Sequence, residues 1–235
     1  MVGRVHTVEQ LLGLLDRVVE ASERGDRARG SAAEFWGELL TTPGHPLATQ
    51  LPDEVLVDWH ERGLLGSLDG ARVLDIGCGA GRNGRWFAEH GASVTGIDLA
   101  SGLLEQVRAT MPESVTLTAI DVLRDPLPAG PFDLVYDSGC FHHIAPHRRI
   151  TYLERVLPLV GQRFGIVTFA AGRVETPHDD QIVVSGDTSG GMAFSLDDLA
   201  EIFAPLHAIE LRAVRPDRKG AFGADFLNAG LFGVD

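Results

Sequence analysis

The chain has 235 residues, of which 44% are hydrophobic and 23% charged, a composition typical of one globular core with an extension. Its formal net charge is −13 and Lys219 is its single lysine, which argues against nucleic acid as a partner because phosphate backbones attract clustered cations. No apolar run reaches about 18 residues, the N-terminus lacks the pattern of a secretory signal, and the two cysteines are too few for a disulfide framework. These features predict a cytoplasmic protein with no membrane partner.

Residues 1–70 predict helices only, and we interpret them as an N-terminal extension of a domain that covers residues 71–235. A capping-box pattern begins at Thr7, a second helical segment carries Phe35 and Trp36, and a third begins near Pro52. The stretch from Phe35 to Trp59 is our candidate for a lid over a ligand site. The alternative is that these helices pack permanently on the sheet.

From residue 72 the pattern changes to apolar strands that alternate with amphipathic helices. Strands are predicted at 72–76, 93–98, 115–121, 132–138 and 164–170, with helices at 81–90, 101–110 and 146–160. Two further strands, at 206–214 and 226–234, have only a short link between them, which favours an antiparallel hairpin. The prediction is therefore an α/β, Rossmann-like, doubly wound sheet of seven mostly parallel strands with an antiparallel last strand. The connection 171–194 predicts either a substrate wall that uses Glu175, His178 and Asp179, or a mobile surface loop.

A glycine-rich loop, Asp75-Ile76-Gly77-Cys78-Gly79-Ala80-Gly81, follows the first strand and opens a helix. Glycine at alternate positions allows a sharp turn and the close approach of a ligand to the backbone. The helix N-terminus adds free amides and positive potential. Residues 79–84 also satisfy the G-x-G-x-x-G fingerprint of dinucleotide sites, although the acid in front of the glycines would repel a pyrophosphate.

Two more acids follow the second and third predicted strands. Asp98 is placed to accept hydrogen bonds from ribose hydroxyls, a feature that nicotinamide sites share. Asp121 is placed to accept the exocyclic amine of an adenine, and the apolar Val122 beside it can pack on the ring. Because the carboxyl ends of parallel strands meet at one edge of a sheet, Asp75, Asp98 and Asp121 are expected to form a row there.

These motifs resemble the class I S-adenosylmethionine-dependent methyltransferase superfamily over residues 53 to 235. The resemblance implies that the loop contacts the methionine portion of the cofactor, Asp98 and Leu99 its ribose, and Asp121 and Val122 its adenine. Arg82-Asn83 and the segment 137–144 are similar to thiopurine and tellurite-resistance methyltransferases. The expected cofactor-binding residues are Asp75, Gly77, Cys78, Gly79, Gly81, Arg82, Asn83, Asp98, Leu99, Asp121, Val122 and Ser138.

The resemblance implies transfer of a methyl group from S-adenosylmethionine to a small molecule, with S-adenosylhomocysteine as product, by a monomer or homodimer. A hydroxyl or amine acceptor must lose a proton, and His142 or His143 is the candidate general base, oriented by Asp137 or His147. The helical spacing of His143 and His147 suits a zinc pair, but Pro146 interrupts it and no third ligand is evident, so no metal is expected.

Two other functions stay open at this point. The fingerprint match allows an NAD(P)-dependent oxidoreductase. The same cofactor site also allows a cofactor-binding or cyclase-like protein that carries out no methyl transfer.

Overall fold

The computed structural model describes residues 5–21, 32–42, 44, 48–188 and 190–234. The remaining residues, which include parts of the predicted N-terminal extension, lie outside this description. Within the described ranges eight strands form one sheet. They are β1 (Arg72–Ile76), β2 (Ser93–Asp98), β3 (Val115–Ala119), β4 (Phe132–Ser138), β5 (Val160–Ala170), β6 (Ala193–Phe194), β7 (His207–Ala213) and β8 (Leu227–Gly233).

The strand order is β3-β2-β1-β4-β5-β8-β7, with the two-residue β6 paired to β5. Strands β1 to β5 are mutually parallel, and β8 runs antiparallel to both β5 and β7. The predicted mostly parallel seven-stranded sheet with an antiparallel last strand is therefore confirmed, and β6 is a short addition to it.

Eight α-helices surround or precede the sheet in the described part of the chain. They are α1 (Val8–Glu20), α2 (Ala32–Thr41), α3 (Glu54–Glu61), α4 (Arg82–Glu89), α5 (Ser101–Arg108), α6 (Arg149–Val156), α7 (Asp179–Ser185) and α8 (Leu196–Ile202). The longest of them, α1, has 13 residues, whereas a membrane-spanning helix needs about 20, so none of the described helices can cross a bilayer.

Apolar side chains cover both faces of the sheet, as a doubly wound fold requires. Successive strand residues point to opposite faces. Val73 packs in one cluster with Trp59 of α3 and Phe87 of α4. Its neighbour Leu74 packs in a second cluster with Tyr152 of α6. The sheet is thereby packed between two helical layers.

Helix α3 is part of this core and not of a movable lid. The Trp59 side chain is fully buried, and its Nε1 donates a hydrogen bond to Glu210 Oε1 on β7 at 2.9 Å. The backbone N–H of Glu54 donates to the carbonyl of Phe222 at 2.7 Å. We therefore restrict the lid hypothesis to α2.

The connection between β5 and α8 is more ordered than the sequence suggests. It contains α7 and β6, to which the sequence analysis assigned no helix or strand. Asp179 begins α7 and forms an ion pair with Arg149 at 2.6 Å, which directs its carboxylate to α6.

Candidate active site

A cavity lies at the carboxyl ends of β1, β2, β4 and β5, where the strand order reverses between β1 and β4. Open α/β sheets bind their ligands at such switch points. Twelve of the predicted site residues line the cavity, whereas Gly81 and Asp121 do not. The predicted residues that line it are Asp75, Gly77, Cys78, Gly79, Arg82, Asn83, Asp98, Leu99, Val122, Ser138, His142 and His143.

The glycine loop adopts a backbone that only glycine enters without strain. Gly77, Gly79 and Gly81 have φ values of 65°, 52° and 74°. A Cβ on Gly77 would lie 2.6 Å from Cβ of Cys140, so the loop also needs glycine there for space. Gly81 caps α4 and packs against Met111, which explains its position outside the cavity.

Asp98 ties the loop to the end of β2. One carboxylate oxygen accepts the N–H of Gly79 at 2.8 Å and the other accepts the N–H of Ala100 at 2.9 Å. Burial raises the pKa of Asp98, and these amides oppose the shift. Each carboxylate oxygen has a second lone pair, so Asp98 can still accept two ligand hydroxyls.

Asp75 is the most unusual group of the cavity, because its Oδ2 is buried without a hydrogen-bond partner. Burial raises its pKa to about 8. The Arg82 guanidinium opposes this shift, and the carboxylates of Asp53, Asp137 and Asp98 add to it. A cationic ligand group beside Asp75 would favour its ionised form.

Arg82 and Asn83 reach the cavity but already have protein partners. Arg82 forms an ion pair with Asp53 at 2.6 Å, and its Nη2 lies 3.3 Å from Oγ of Ser138. The Asn83 amide exchanges two hydrogen bonds with Asp53, one to its carboxylate and one from its backbone N–H, and the Tyr136 hydroxyl donates to the same carboxylate at 2.7 Å. This buried network joins the N-terminus of α3 to the glycine loop, and cofactor contacts by Arg82 and Asn83 stay a prediction.

Asp121 lies differently from the expectation, because β3 ends two residues earlier, at Ala119. Its Oδ1 accepts the N–H of Leu123 at 2.8 Å in a local turn. The neighbouring residues Ile120 and Val122 line the cavity instead. They give this part of the cavity an apolar wall, and the contacts of Val122 and of the Asp121 carboxylate with adenine stay a prediction.

His142 and His143 form a hydrogen-bonded pair, with their Nε2 atoms 3.0 Å apart. Nδ1 of His142 accepts the backbone N–H of Phe169 at 3.2 Å, so the ring proton of neutral His142 must lie on Nε2. His142 therefore donates to Nε2 of His143, which accepts. Burial, and secondly the charge of His143, lowers the pKa of His142 well below its ordinary value, which keeps the ring neutral.

Neither predicted orienting group touches this pair. Asp137 accepts the N–H of Cys140 at 2.9 Å and the hydroxyl of Tyr152 at 2.7 Å, and burial raises its pKa to about 6. His147 contacts Asp16 of α1 at 2.9 Å. The proposal that Asp137 or His147 orients a histidine is therefore wrong, because both side chains are engaged elsewhere. In the ranges that the structure describes, no cluster of three His, Cys, Asp or Glu side chains is arranged to hold a metal.

Several further residues line the cavity, and two of them, Trp36 and Leu40, fall within the stretch predicted as a lid. Trp36 and Leu40 come from α2, and Phe222 and Phe226 come from the link between β7 and β8. Phe169 near the end of β5 could have been found, because it lies at the same sheet edge as the predicted residues. The predicted wall residues Glu175, His178 and Asp179 do not line the cavity.

Residues 73–161 match a family described as a methyltransferase domain. The ubiquinone biosynthesis O-methyltransferase of Bordetella avium is 39% identical over 84 residues, which cover 35% of this chain and 32% of that protein. The enzyme of the same name from Dechloromonas aromatica is 33% identical over 114 residues, which cover 46% and 48%. The chain thus spans less than half the length of these relatives.

Solved methyltransferases share the fold at low sequence identity. One is a 1,6-didemethyltoxoflavin-N1-methyltransferase from Burkholderia thailandensis, solved with 1,6-didemethyltoxoflavin and S-adenosylhomocysteine; it is 20% identical with a TM-score of 0.58, and the match covers 98% of this chain and 92% of that one. An S-adenosylmethionine-dependent methyltransferase from Mesorhizobium loti is 21% identical with a TM-score of 0.57, covering 75% and 97%. Residues 73–161 thus match a methyltransferase-domain family, and the chain shares its fold with solved S-adenosylmethionine-dependent methyltransferases.

Proposed function

We propose that the chain transfers the methyl group of S-adenosylmethionine to a small-molecule acceptor. The observation that carries the proposal is that one cavity holds two carboxylates, Asp75 and Asp98, beside a glycine loop in left-handed backbone, and that Oδ2 of Asp75 is buried there without a hydrogen-bond partner. The small-molecule acceptor is supported by the 1,6-didemethyltoxoflavin bound to the Burkholderia thailandensis enzyme, which shares the fold.

The residues of the cavity fit the cofactor. Asp75 offers a partner for the α-ammonium group, and this pairing would relieve the cost of its buried charge. Asp98 has lone pairs for the ribose hydroxyls, and Ile120 and Val122 give the adenine ring apolar walls. When bound, the cofactor supplies a methyl group that its sulfonium already activates.

The chain then has to align the acceptor and take up its proton. An acceptor hydroxyl can replace His142 as the donor to Nε2 of His143, and His143 takes the proton as that hydroxyl attacks. His142 acts as a positioning residue, since its own Nδ1 is held by the backbone of Phe169. Helix α2 places Trp36 and Leu40 over the cavity, where they help to exclude water.

Two alternative functions can be distinguished from methyl transfer: an NAD(P)-dependent oxidoreductase, and a protein that binds the cofactor without transferring its methyl group. A dinucleotide-binding sheet has the order 3-2-1-4-5-6, whereas here the antiparallel β8 is inserted between β5 and β7. Titration calorimetry with S-adenosylhomocysteine and with NADH separates these two cofactors, and binding of NADH alone would refute the proposal. Formation of S-adenosylhomocysteine only when an acceptor is present separates a methyltransferase from a protein that merely holds the cofactor.

Asp98→Ala tests the cofactor site. We expect it to weaken S-adenosylhomocysteine binding by about 1–3 kcal/mol, the scale of a hydrogen bond to a charged group. The loss also releases the amide of Gly79, so calorimetry should be accompanied by a thermal melt of the free protein. Unchanged affinity would show that Asp98 does not bind the ribose.

The histidine pair is tested by turnover. His143→Ala should lower kcat by about 100-fold with little change in cofactor affinity, as expected for loss of a general base. His142→Ala should shift the pH profile of kcat to higher pH, because it removes the N–H that competes for Nε2 of His143. His207→Ala, on the exposed side of β7, is the matched control. Retention of full kcat by both cavity variants would rule out the acid–base role.

A further inference from the structure

The cavity has two chemically different halves. The ends of β1, β2 and β3 supply the glycine loop, Asp98 and Val122, which we assign to the cofactor. The other half is bounded by the ends of β4 and β5, by the β7–β8 link and by Trp36 of α2. An acceptor has to occupy this second half if the proposed function is right.

Aromatic rings dominate the walls of the second half. Trp36 of α2 packs on His143 with ring centres 4.6 Å apart. Phe169 stacks on His142 at 4.0 Å with an angle of 17° between the planes, and its centre lies 6.2 Å from that of Phe226. Rings that converge from three separate segments suit a flat apolar ligand, because aromatic groups gain most from stacked or edge-to-face contacts.

This half also lacks a free positive charge among the described lining residues. Arg82 is the one cationic side chain among them, and its guanidinium is paired with Asp53 at 2.6 Å and lies over the ring of Phe222 at 5.0 Å. His142 is held neutral by burial, which lowers its pKa. A carboxylate or phosphate brought here would lose its hydration and would find no free guanidinium or ammonium group among the described lining residues.

A cationic acceptor would likewise find no carboxylate among the described lining residues of this half. The carboxylates that line the cavity, Asp75 and Asp98, belong to the cofactor half. An ammonium group in the acceptor half would therefore depend on ring faces alone.

We propose that the acceptor is an uncharged, planar aromatic or heteroaromatic compound that carries the methylated atom on or beside its ring. This inference rests on the proposed function, since it assumes that the cofactor fills the other half. Trp36 and Phe169 form the two sides of the acceptor slot, and Phe226, which is 38% exposed, stands at its mouth.

The test uses the full chain saturated with S-adenosylhomocysteine and three probes of similar size. Naphthol is planar and neutral, hydroxynaphthoate adds a carboxylate to the same rings, and decahydronaphthol keeps the hydroxyl but loses the flat rings. By calorimetry we expect naphthol to bind at least about tenfold more tightly than either of the others, the scale of one aromatic contact.

Variants at Trp36 locate the binding. Trp36→Leu should weaken naphthol binding by about tenfold and leave the affinity for S-adenosylhomocysteine unchanged, whereas Trp36→Phe should restore most of the loss. Equal or tighter binding of hydroxynaphthoate or decahydronaphthol would overturn the inference, as would no binding of naphthol to the loaded protein. Failure of S-adenosylhomocysteine itself to bind would instead overturn the proposed function.

Discussion

Replacing Asp75 by asparagine should remove the release of a proton that accompanies cofactor binding. Burial raises the pKa of this carboxyl to about 8 in the free protein, from an ordinary value of 3.8. At pH 7 about 0.9 of the molecules therefore hold the proton, and at pH 8 about half. If the α-ammonium of the ligand returns the pKa to its ordinary range, binding at pH 7 releases about 0.9 proton per ligand.

The sign of the pH dependence follows from this linkage. Because the complex holds fewer protons than the free protein, affinity for S-adenosylhomocysteine should rise with pH, by nearly tenfold from pH 6 to pH 7, and level off above about pH 8. Asparagine keeps the shape of the side chain but does not titrate in this range, so the variant should lack this rise.

Calorimetry in two buffers of different ionisation enthalpy measures the released protons directly. The difference between the natural protein and Asp75→Asn isolates this group from other carboxyls of the cavity, such as Asp98, whose pKa burial also raises. Equal proton release by the two proteins at pH 7, or none by the natural one, would refute the pairing of Asp75 with the cofactor cation.

Two further changes test how the cavity is built, and both are read from urea unfolding. Gly77→Ala should lower the free energy of unfolding by roughly 2–4 kcal/mol, since it forces alanine to a φ of 65° and brings its Cβ to 2.6 Å from that of Cys140. The control Gly220→Ala, with a φ of 81° and no neighbour within 4 Å, should lower it by only about 1 kcal/mol. Equal losses of stability in the two variants would contradict the clash at Gly77. Tyr136→Phe removes the hydroxyl that donates to Asp53 at 2.7 Å and should cost about 1–3 kcal/mol, whereas unchanged stability would show that the network does not need it.

The sheet and most of its active edge could be predicted because they follow from local signals. Buried apolar runs marked the strands, and the rule that parallel strands bind ligands at their carboxyl ends placed Asp75, Gly77 and Asp98 together. Asp121 departs from this rule because its strand stops at Ala119, and the extra residues form a turn that uses its carboxylate. Strand ends are poorly defined in a sequence, and a shift of two residues is enough to move a side chain out of a site.

Partners far apart in the chain could not be predicted. No sequence pattern near Arg82 and Asn83 indicates that both side chains form hydrogen bonds with Asp53, about 30 residues earlier in the chain. The same holds for Phe226, which reaches the cavity from the link between β7 and β8, whereas Trp36 belongs to the stretch predicted as a lid. Strand β6 has only two residues, which is too short for an alternating pattern to be recognised. Helix α7 was not predicted because its seven residues lie in a segment rich in turn-forming residues.

A crystal structure of the chain with S-adenosylhomocysteine would show whether this cavity is the cofactor site. We expect the α-ammonium group within about 4 Å of Asp75, the range of an ion pair. We also expect the ribose hydroxyls to be hydrogen-bonded to Asp98 and the adenine to lie against Ile120 and Val122. A ligand bound elsewhere on the chain, or bound in this cavity without contact to either carboxylate, would contradict this expectation.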